Sequence, residues 1–335
     1  MVSLTVQPDH ANRSDLIDGF GRKIDHLRLS LTSACDLNCV YCKPDRGARP
    51  DPQAGFSDEQ RITLVHHLHH RYGLAQVRIT GGEPLVYPRT VSLIAGIRDA
   101  LPDITIAMTT NGRLLYRKGF ELRNAGLTRL NISLDSLDAK RYHELTGGRL
   151  EDALRGIDSV LFLGFPPPKI NAVVLRGVND CDIVPLAAWG IARGLVVRFL
   201  EAMPIGPAAA INQQGFVSVV EVLEILSKRF SIEALPRGAG ETAKLYRISD
   251  GDATGTVGTI GSVSEPFCTD CRRIRVTAEG RLYPCLLDHR STDLTAAWRD
   301  GVLDPELLDR AFQTSLSGKS LFGGRQTTSM VTLGG

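Results

Sequence analysis

The sequence has no long apolar run and very little net charge. No hydrophobic stretch approaches the roughly 18 residues that a membrane-spanning helix requires, so we predict no membrane span. The formal net charge is only +2, so composition gives no reason to expect binding to nucleic acid or to a membrane surface. Any anion-binding site must therefore come from local clustering of basic residues.

The first 23 residues lack the charged-then-apolar layout of a secretion signal. We therefore expect a cytoplasmic protein, and we treat residues 1–23 as a loose N-terminal leader. In that compartment, seven cysteines favour metal binding or catalysis over disulfide bonds. Six of the seven fall into two groups of three, which we call the first triplet and the second triplet.

The first triplet is Cys35, Cys39 and Cys42, directly after the apolar segment 27–32. Three thiolates on one short loop can hold three corners of a cubic iron–sulfur cluster, which usually takes four cysteines. A missing fourth ligand leaves one metal position open for another molecule. A zinc knuckle is the alternative, but zinc pairs are usually C-x2-C units with a fourth ligand nearby, and no histidine lies close to this loop.

The second triplet is Cys268, Cys271 and Cys285. A zinc ion completed by a nearby acidic residue or histidine is an open alternative for these ligands. A three-cysteine cluster with an open iron would instead bind substrate directly. Arg273 and Arg275 support that interpretation, because residues two apart on a strand share one face. Their guanidinium groups suit phosphate oxygens, to which they donate paired hydrogen bonds.

Apolar strand-like segments alternate with segments of helical period over the first two thirds of the chain. Strands are predicted at 27–32, 77–80, 104–109, 129–134, 169–175 and 196–201. Helices are predicted at 57–72, 89–100, 114–125, 151–163 and 181–193. Six strands that alternate with helices indicate a parallel sheet, and we predict an open, partial (β/α)6 barrel of the TIM type. In such barrels the chemistry gathers at the carboxyl ends of the strands.

A turn-rich break after Met203 marks the predicted end of this barrel, which we place at residues 24–203. Residues 204–335 then form a smaller α+β region that carries the second triplet. Helices are predicted there at 217–229, 293–299 and 305–316. Short strands are predicted around Tyr246 and at 256–260, 274–277 and 282–284.

These motifs together resemble a known family. C-x3-C-x2-C with an aromatic residue before its last cysteine is similar to the loop of radical S-adenosylmethionine (SAM) enzymes. The resemblance becomes narrower with three further features: the turn Gly81-Gly82-Glu83-Pro84, the second triplet followed by two arginines, and the terminal Gly334-Gly335. With these, residues 28–335 resemble the GTP 3′,8-cyclases of molybdenum cofactor biosynthesis, the MoaA family.

The resemblance implies a set of site residues. Each triplet would hold one [4Fe-4S] cluster. SAM would be contacted by Tyr41, Gly82, Ser133 and Met203. GTP would be contacted by Arg28, Arg78, Thr109, Lys169, Arg198, Arg273 and Arg275.

The resemblance also implies a reaction and partners. One electron would cleave SAM, and the resulting radical would take the 3′ hydrogen of GTP. Attack of C3′ on guanine C8 would then give (8S)-3′,8-cyclo-7,8-dihydroguanosine 5′-triphosphate, a lyase reaction. A flavodoxin- or ferredoxin-type donor would supply electrons, and a cyclic pyranopterin monophosphate synthase would use the product. A homodimer is expected, with the terminal glycines inserted into the site.

Two other interpretations remain open at this point. One is a radical SAM enzyme that modifies peptides and carries an auxiliary C-terminal cluster. The other is a non-catalytic, zinc-stabilised binding module. The sequence departs from the cyclase pattern at Ala34, Gln76, Arg272 and Leu333. None of these removes a predicted cluster ligand, but they leave open a divergent paralogue.

Overall fold

The computed structural model describes residues 13–42, 55–321 and 330–333. The strands are β1 His26–Ser30, β2 Gln76–Thr80, β3 Thr105–Thr110, β4 Arg129–Ser133, β5 Lys169–Val174, β6 Val196–Glu201, β7 Ser231–Ala234, β8 Lys244–Asp250, β9 Ala253–Ile260, β10 Arg273–Val276, β11 Arg281–Tyr283, β12 Thr292–Asp293, β13 Trp298–Arg299 and β14 Val302–Leu303. The helices are α1 Asp58–Tyr72, α2 Thr90–Ala100, α3 Leu115–Asn124, α4 Ala139–Thr146, α5 Leu150–Phe162, α6 Ile183–Arg193, α7 Ala208–Gly215, α8 Val219–Ser227, α9 Pro305–Ser317 and α10 Met330–Leu333.

Strands β1 to β6 lie side by side in chain order, and every neighbouring pair is parallel. Helices connect them, as parallel strands require. This arrangement confirms the predicted partial (β/α)6 barrel. All six strands and the five helices predicted between them are present, with ends that differ by only a few residues.

The C-terminal part of the chain extends both edges of this sheet. Strand β9 pairs in parallel with β6, and β10 pairs in parallel with β1. The sheet therefore has twelve strands, in the order β12-β11-β10-β1-β2-β3-β4-β5-β6-β9-β8-β7. The connection 261–272 joins the outermost parallel strands of the two edges, so it spans the opening of the barrel. It carries two cysteines of the second triplet.

Alternating residues on the strands separate the hydrophobic core from a polar lumen. Leu27 and Leu29 on β1 are fully buried and belong to the same core cluster as Leu64 of α1. Arg28 between them points to the other face, as the two-residue period of a strand requires. Strand β2 repeats the pattern around Arg78. The core therefore lies between sheet and helices, and the inward positions are free for binding residues.

Local signals explain the helix boundaries. Ser57 begins α1 with a capping box, in which its side chain accepts from the backbone of Gln60 and the Gln60 side chain accepts in return. Gly73 ends the helix in the left-handed conformation, at φ 71°. No helix among the described residues has the length and apolar character needed to cross a bilayer.

The structure departs from the sequence-based expectations in several places. The helix predicted at 293–299 is wrong: the segment holds β12, a short 3-10 turn and β13, and β13 pairs with β14. Asp293 accepts from the backbone of Thr295, which favours a turn over a helix. Helices α4 and α7 were not predicted.

The described part of the predicted N-terminal leader is anchored to the folded body by a few buried side chains. Leu16 and Ile24 are buried, and the backbone N–H of Ile24 donates to the carbonyl of Leu16. The side chains of Asp18 and Arg22 are also buried, and they form a salt bridge with each other. Residues 13–23 are therefore part of the folded body.

Candidate functional site

A cavity of about 340 Å³ lies inside the barrel, at the carboxyl ends of the parallel strands. Both triplets line it, so the structure brings together six cysteines that are far apart in sequence. The other predicted site residues in its wall are Tyr41, Gly82, Ser133, Met203, Arg28, Thr109, Arg198, Arg273 and Arg275. Arg78 and Lys169 are not in this wall, and their positions are described below.

The loop of the first triplet is held from two sides. The backbone N–H of Asn38 donates to the carbonyl of Thr146 at 2.8 Å, and that of Val40 donates to Leu145 at 2.9 Å. Both acceptors belong to α4, the helix that sequence patterns missed. On the other side, the Tyr41 hydroxyl donates to Oδ2 of Asp135 at 2.6 Å, just past β4.

The glycine turn after β2 packs directly against this loop. The N–H of Gly82 donates to the carbonyl of Thr32 at 2.7 Å, and the N–H of Glu83 donates to that of Ala34 at 2.8 Å. A Cβ atom at Gly82 would overlap the backbone of Ala34. Glycine is therefore needed here because two backbones approach closely.

Glu83 stabilises the same turn through hydrogen bonds to its side chain. Its buried carboxylate accepts from the backbone of Leu85 at 3.0 Å, from the Thr110 hydroxyl at 2.7 Å and from the backbone of Asn111 at 2.7 Å. Burial raises the pKa of Glu83 to about 7, although these hydrogen bonds oppose the shift. These hydrogen bonds show that Glu83 orients the turn.

Glu201 organises the approach to the second triplet. This buried carboxylate, at the end of β6, accepts from the backbones of Val219, Val263 and Ser264 at 2.8–3.0 Å. It therefore ties the first turn of α8 and the connection 261–272 to the barrel. Cys268 and Cys271 follow on that connection.

The thiols of the two triplets have the chemistry of metal ligands. None of them is in a disulfide bond, and all are partly buried at the cavity. Burial raises the pKa of Cys39, and the neighbouring charges of Asp135 and the other thiols add to this effect. Burial would also raise the pKa of Cys271, but the positive charges of Arg273 and Lys319 lower it to about 7. A thiolate beside cations is favoured at neutral pH, which suits an iron site.

Four arginines lie on one register row across the sheet. Arg28 of β1 is paired in register with Arg275 of β10 on one side and with Arg78 of β2 on the other. Ala107 of β3 comes next, followed by Arg129 of β4. Since residues in register point to the same face of a sheet, the row concentrates positive charge inside the barrel. The small side chain of Ala107 leaves room between Arg78 and Arg129.

The buried arginines lie close enough to repel one another. Burial lowers the pKa of Arg28 well below its usual range, and the charges of four neighbouring arginines add to the shift. Arg28 has no hydrogen-bond or salt-bridge partner among the described residues. Burial and neighbouring arginines also lower the pKa of Arg78 and of Arg198 to about 10. The site therefore favours an anion strongly.

The two predicted residues outside the cavity wall belong to the same charge cluster. The charge of Arg129 helps to lower the pKa of Arg78, after burial. Burial lowers the pKa of Lys169, and Arg198 and Arg129 contribute to that shift. Lys169 is exposed at the start of β5, so it lies at the amino-terminal side of the lumen.

Several residues of the site were missed by sequence reasoning. Arg129 begins β4, Glu201 ends β6, and Asp135 follows the end of β4. The sequence signal that could have identified them is a polar residue directly beside an apolar run. Arg272, one of the departures from the family pattern, forms an ion pair with Asp25 and is not part of the cavity wall.

Comparisons with known proteins fit this geometry. The family model described as Radical SAM superfamily matches residues 29–190, and the model described as Molybdenum Cofactor Synthesis C matches residues 195–321. A GTP 3′,8-cyclase of Corynebacterium glutamicum is 42% identical over 311 residues, covering 90% of this chain and 82% of the relative. One of Paenarthrobacter nicotinovorans is 39% identical, covering 88% and 86%.

The chain belongs to the GTP 3′,8-cyclase family. Like other radical SAM proteins, a member of this family uses SAM and a [4Fe-4S] cluster. The loop of the first triplet fits such a cluster, because its three part-buried cysteines are outside any disulfide and line one cavity.

A solved structure of Streptococcus suis SuiB bound to the precursor peptide SuiA has the same fold. Its TM-score is 0.62 at 16% identity, covering 87% of this chain and 67% of SuiB. At that identity the likeness concerns the architecture alone. The GTP 3′,8-cyclase family remains the closer description of the sequence.

Proposed function

We propose that this chain is a lyase that converts GTP to (8S)-3′,8-cyclo-7,8-dihydroguanosine 5′-triphosphate, the first step of molybdenum cofactor biosynthesis. One observation carries the proposal: two separate groups of three cysteines share a single cavity with four arginines, Arg28, Arg198, Arg273 and Arg275. A radical SAM site and an anion site therefore lie next to each other.

The part of the cavity beside the first triplet is assigned to SAM. Cys35, Cys39 and Cys42 would hold the first cluster, which, when bound and reduced, supplies the electron that cleaves SAM. Tyr41, Gly82, Ser133 and Met203 line the adjacent wall and would contact SAM. Backbone at Gly82 is accessible because the residue has no side chain.

The basic residues in and around the cavity wall are assigned to the triphosphate of GTP. Arg28, Arg198, Arg273 and Arg275 line the cavity, while Arg78, Lys169 and Arg129 add charge around it. Phosphate oxygens would accept paired hydrogen bonds from these guanidinium groups. Thr109 adds a hydroxyl to the wall, and this hydroxyl is buried without a partner.

The second triplet is assigned to a second [4Fe-4S] cluster with one iron position left for the guanine base. Together with phosphates held at the arginine row, this would fix both ends of the nucleotide and position the ribose.

The charge cluster also supports GTP over a peptide, because peptide chains lack such concentrated negative charge. A zinc ion needs ligands at about 2.0–2.3 Å. Among the described residues, no three His, Cys, Asp or Glu side chains converge as a single-ion site.

The remaining expectations for this protein stay predictions. They are a cytoplasmic location, a homodimer, a flavodoxin- or ferredoxin-type donor, a cyclic pyranopterin monophosphate synthase downstream, and a barrel that ends at residue 203. Gly334 and Gly335 lie outside the described residues. Leu333 just before them is buried in a cluster with Ile205 and Tyr283, and Met330 lines the cavity.

The proposal is tested with anaerobically purified protein. We expect about eight irons per chain with little zinc, which corresponds to two clusters. Incubation with SAM, dithionite and GTP should yield 5′-deoxyadenosine and the cyclised nucleotide, identified by mass spectrometry. R273A/R275A should weaken GTP binding, whereas the paired change of exposed residues R247A/R310A should not. Binding of GTP that is equal in all three proteins would contradict the proposal.

A further inference from the structure

A buried lysine lies behind the second triplet. Lys319, just after α9, has only 3% of its surface exposed. Its ammonium group donates to the carbonyl of Arg273 at 2.8 Å and to Sγ of Cys271 at 3.8 Å. Lys319 contacts Cys271 without lining the cavity itself.

The charge of Lys319 is not balanced by a carboxylate in direct contact. No salt bridge to Lys319 exists among the described residues. A buried ammonium group is costly unless a partner compensates it. Burial lowers the pKa of Lys319, and the charges of Cys271, Cys285 and Asp18 oppose that shift. The lysine is therefore placed to compensate the negative charge that a thiolate-bound cluster carries.

A second buried cation holds the same region together. Arg22 donates to the carbonyl of Cys268 at 2.5 Å and to that of Ser320 at 3.3 Å. Asp18 fixes this arginine, with its Oδ2 2.6 Å from Nε of Arg22. The segment 18–22 therefore links the loop of the second triplet to the residue that follows Lys319.

We propose that Lys319 is a positioning residue for the second cluster, holding the Cys271 ligand and supplying a positive charge that makes this cluster easier to reduce. The Asp18–Arg22 pair holds the Cys268 loop at a fixed position relative to Lys319. This inference rests on the part of the proposed function that assigns a second cluster. A hydrogen bond or positive charge near a cluster sulfur raises its reduction potential, because the reduced state carries more negative charge.

The test compares K319M with K319R and with K228M, which removes an exposed lysine from the end of α8. Each protein is reconstituted anaerobically, its iron and sulfide are counted, and both clusters are titrated by electron paramagnetic resonance. Addition of SAM identifies the signal of the first cluster. No turnover assay is required, so the experiment is independent of the GTP reaction.

We expect K319M to lose iron from the second cluster or to retain it at a more negative potential. When the solution potential is held constant, a tenfold change in the ratio of oxidised to reduced cluster corresponds to a shift of about 59 mV in the cluster's one-electron reduction potential. K319R should keep the cluster and restore most of the shift, and K228M should match the wild type. The first cluster should be unchanged in all variants.

Two results would overturn the assignment. One is a K319M protein whose second cluster has the wild-type iron content and potential. The other is zinc in place of iron at the second triplet of the wild type. A wild type with two clusters but no cyclised GTP would refute the proposed function, while a shifted second cluster in K319M would still support the role of Lys319.

Discussion

The hydroxyl of Tyr41 lies 2.6 Å from Oδ2 of Asp135, and Oδ1 of the same carboxylate accepts from the backbone of Val173. One buried side chain therefore connects the cluster loop after β1 to the ends of β4 and β5. Burial raises the pKa of Asp135 to about 6, despite these hydrogen bonds. The loop that carries the first triplet is thus fixed across half the barrel.

Removing the Tyr41 hydroxyl should weaken this connection. We expect Y41F to lower the free energy of unfolding by about 1–3 kcal/mol, because the buried carboxylate loses a hydrogen-bond donor. Urea denaturation of anaerobic protein measures the change, and iron per chain should fall with it. Y116F, which alters a tyrosine outside the cavity wall, serves as the control. Equal stability of Y41F and wild type would show that the bond does not hold the loop.

Removing a cation from the arginine row should have opposite effects on stability and on binding. R28M eliminates a charge that lies among other arginines, so unfolding of the nucleotide-free protein should cost about 1–2 kcal/mol more. Affinity for GTP should fall at least about tenfold, or 1.4 kcal/mol. Denaturation and equilibrium binding measure the two quantities. R310M, on an exposed face of α9, should change neither, and a destabilised R28M would contradict the account.

Glu83 should make stability depend on pH. Its pKa is raised from 4.5 to about 7 in the folded protein, so the folded state holds the proton more tightly than the unfolded state. The resulting stabilisation is complete below about pH 4.5 and is lost as pH rises through about 7. Relative to E83Q, the wild type should therefore lose about 3 kcal/mol between pH 4.5 and pH 8.

Denaturation curves at several pH values check this prediction. E144Q alters an exposed glutamate on α4 and should follow the wild-type pH dependence. A difference between wild type and E83Q that stays constant with pH would show that Glu83 is ionised alike in both states.

Deleting Gly334 and Gly335 tests the role of the C-terminus. Because Met330 lines the cavity and Leu333 is anchored beside it, we expect the deletion to lower turnover of GTP at least about tenfold, which corresponds to 1.4 kcal/mol in the activation barrier. Iron content and GTP affinity should stay at wild-type values. Unchanged turnover would remove the tail from the mechanism.

Much of this architecture could be predicted because its signals are local. The six strands of the barrel are apolar runs, and the spacing of Cys35, Cys39 and Cys42 is a motif within one loop. The segment 293–299 was misassigned because its turn signals were outweighed by helical residues. The pair Asp300-Gly301, with φ of 50° and 79°, favours the hairpin that joins β13 and β14.

The contacts that hold the site together could not be predicted, since each joins distant parts of the chain. Asp135 meets Tyr41 only because β4 lies three strands from β1 in a curved sheet. The register that aligns Arg28 with Arg275 depends on a pairing between the first strand and a strand near the end. No local pattern distinguishes Lys319 or Arg22, and only folding brings both against the second triplet.

The most direct test follows a single hydrogen atom. The protein is incubated anaerobically with SAM, dithionite and GTP labelled with deuterium at C3′, and the 5′-deoxyadenosine is analysed by mass spectrometry. Our account predicts 5′-deoxyadenosine that carries deuterium and forms in step with the cyclised nucleotide. Unlabelled 5′-deoxyadenosine, formed at the same rate without GTP, would contradict it.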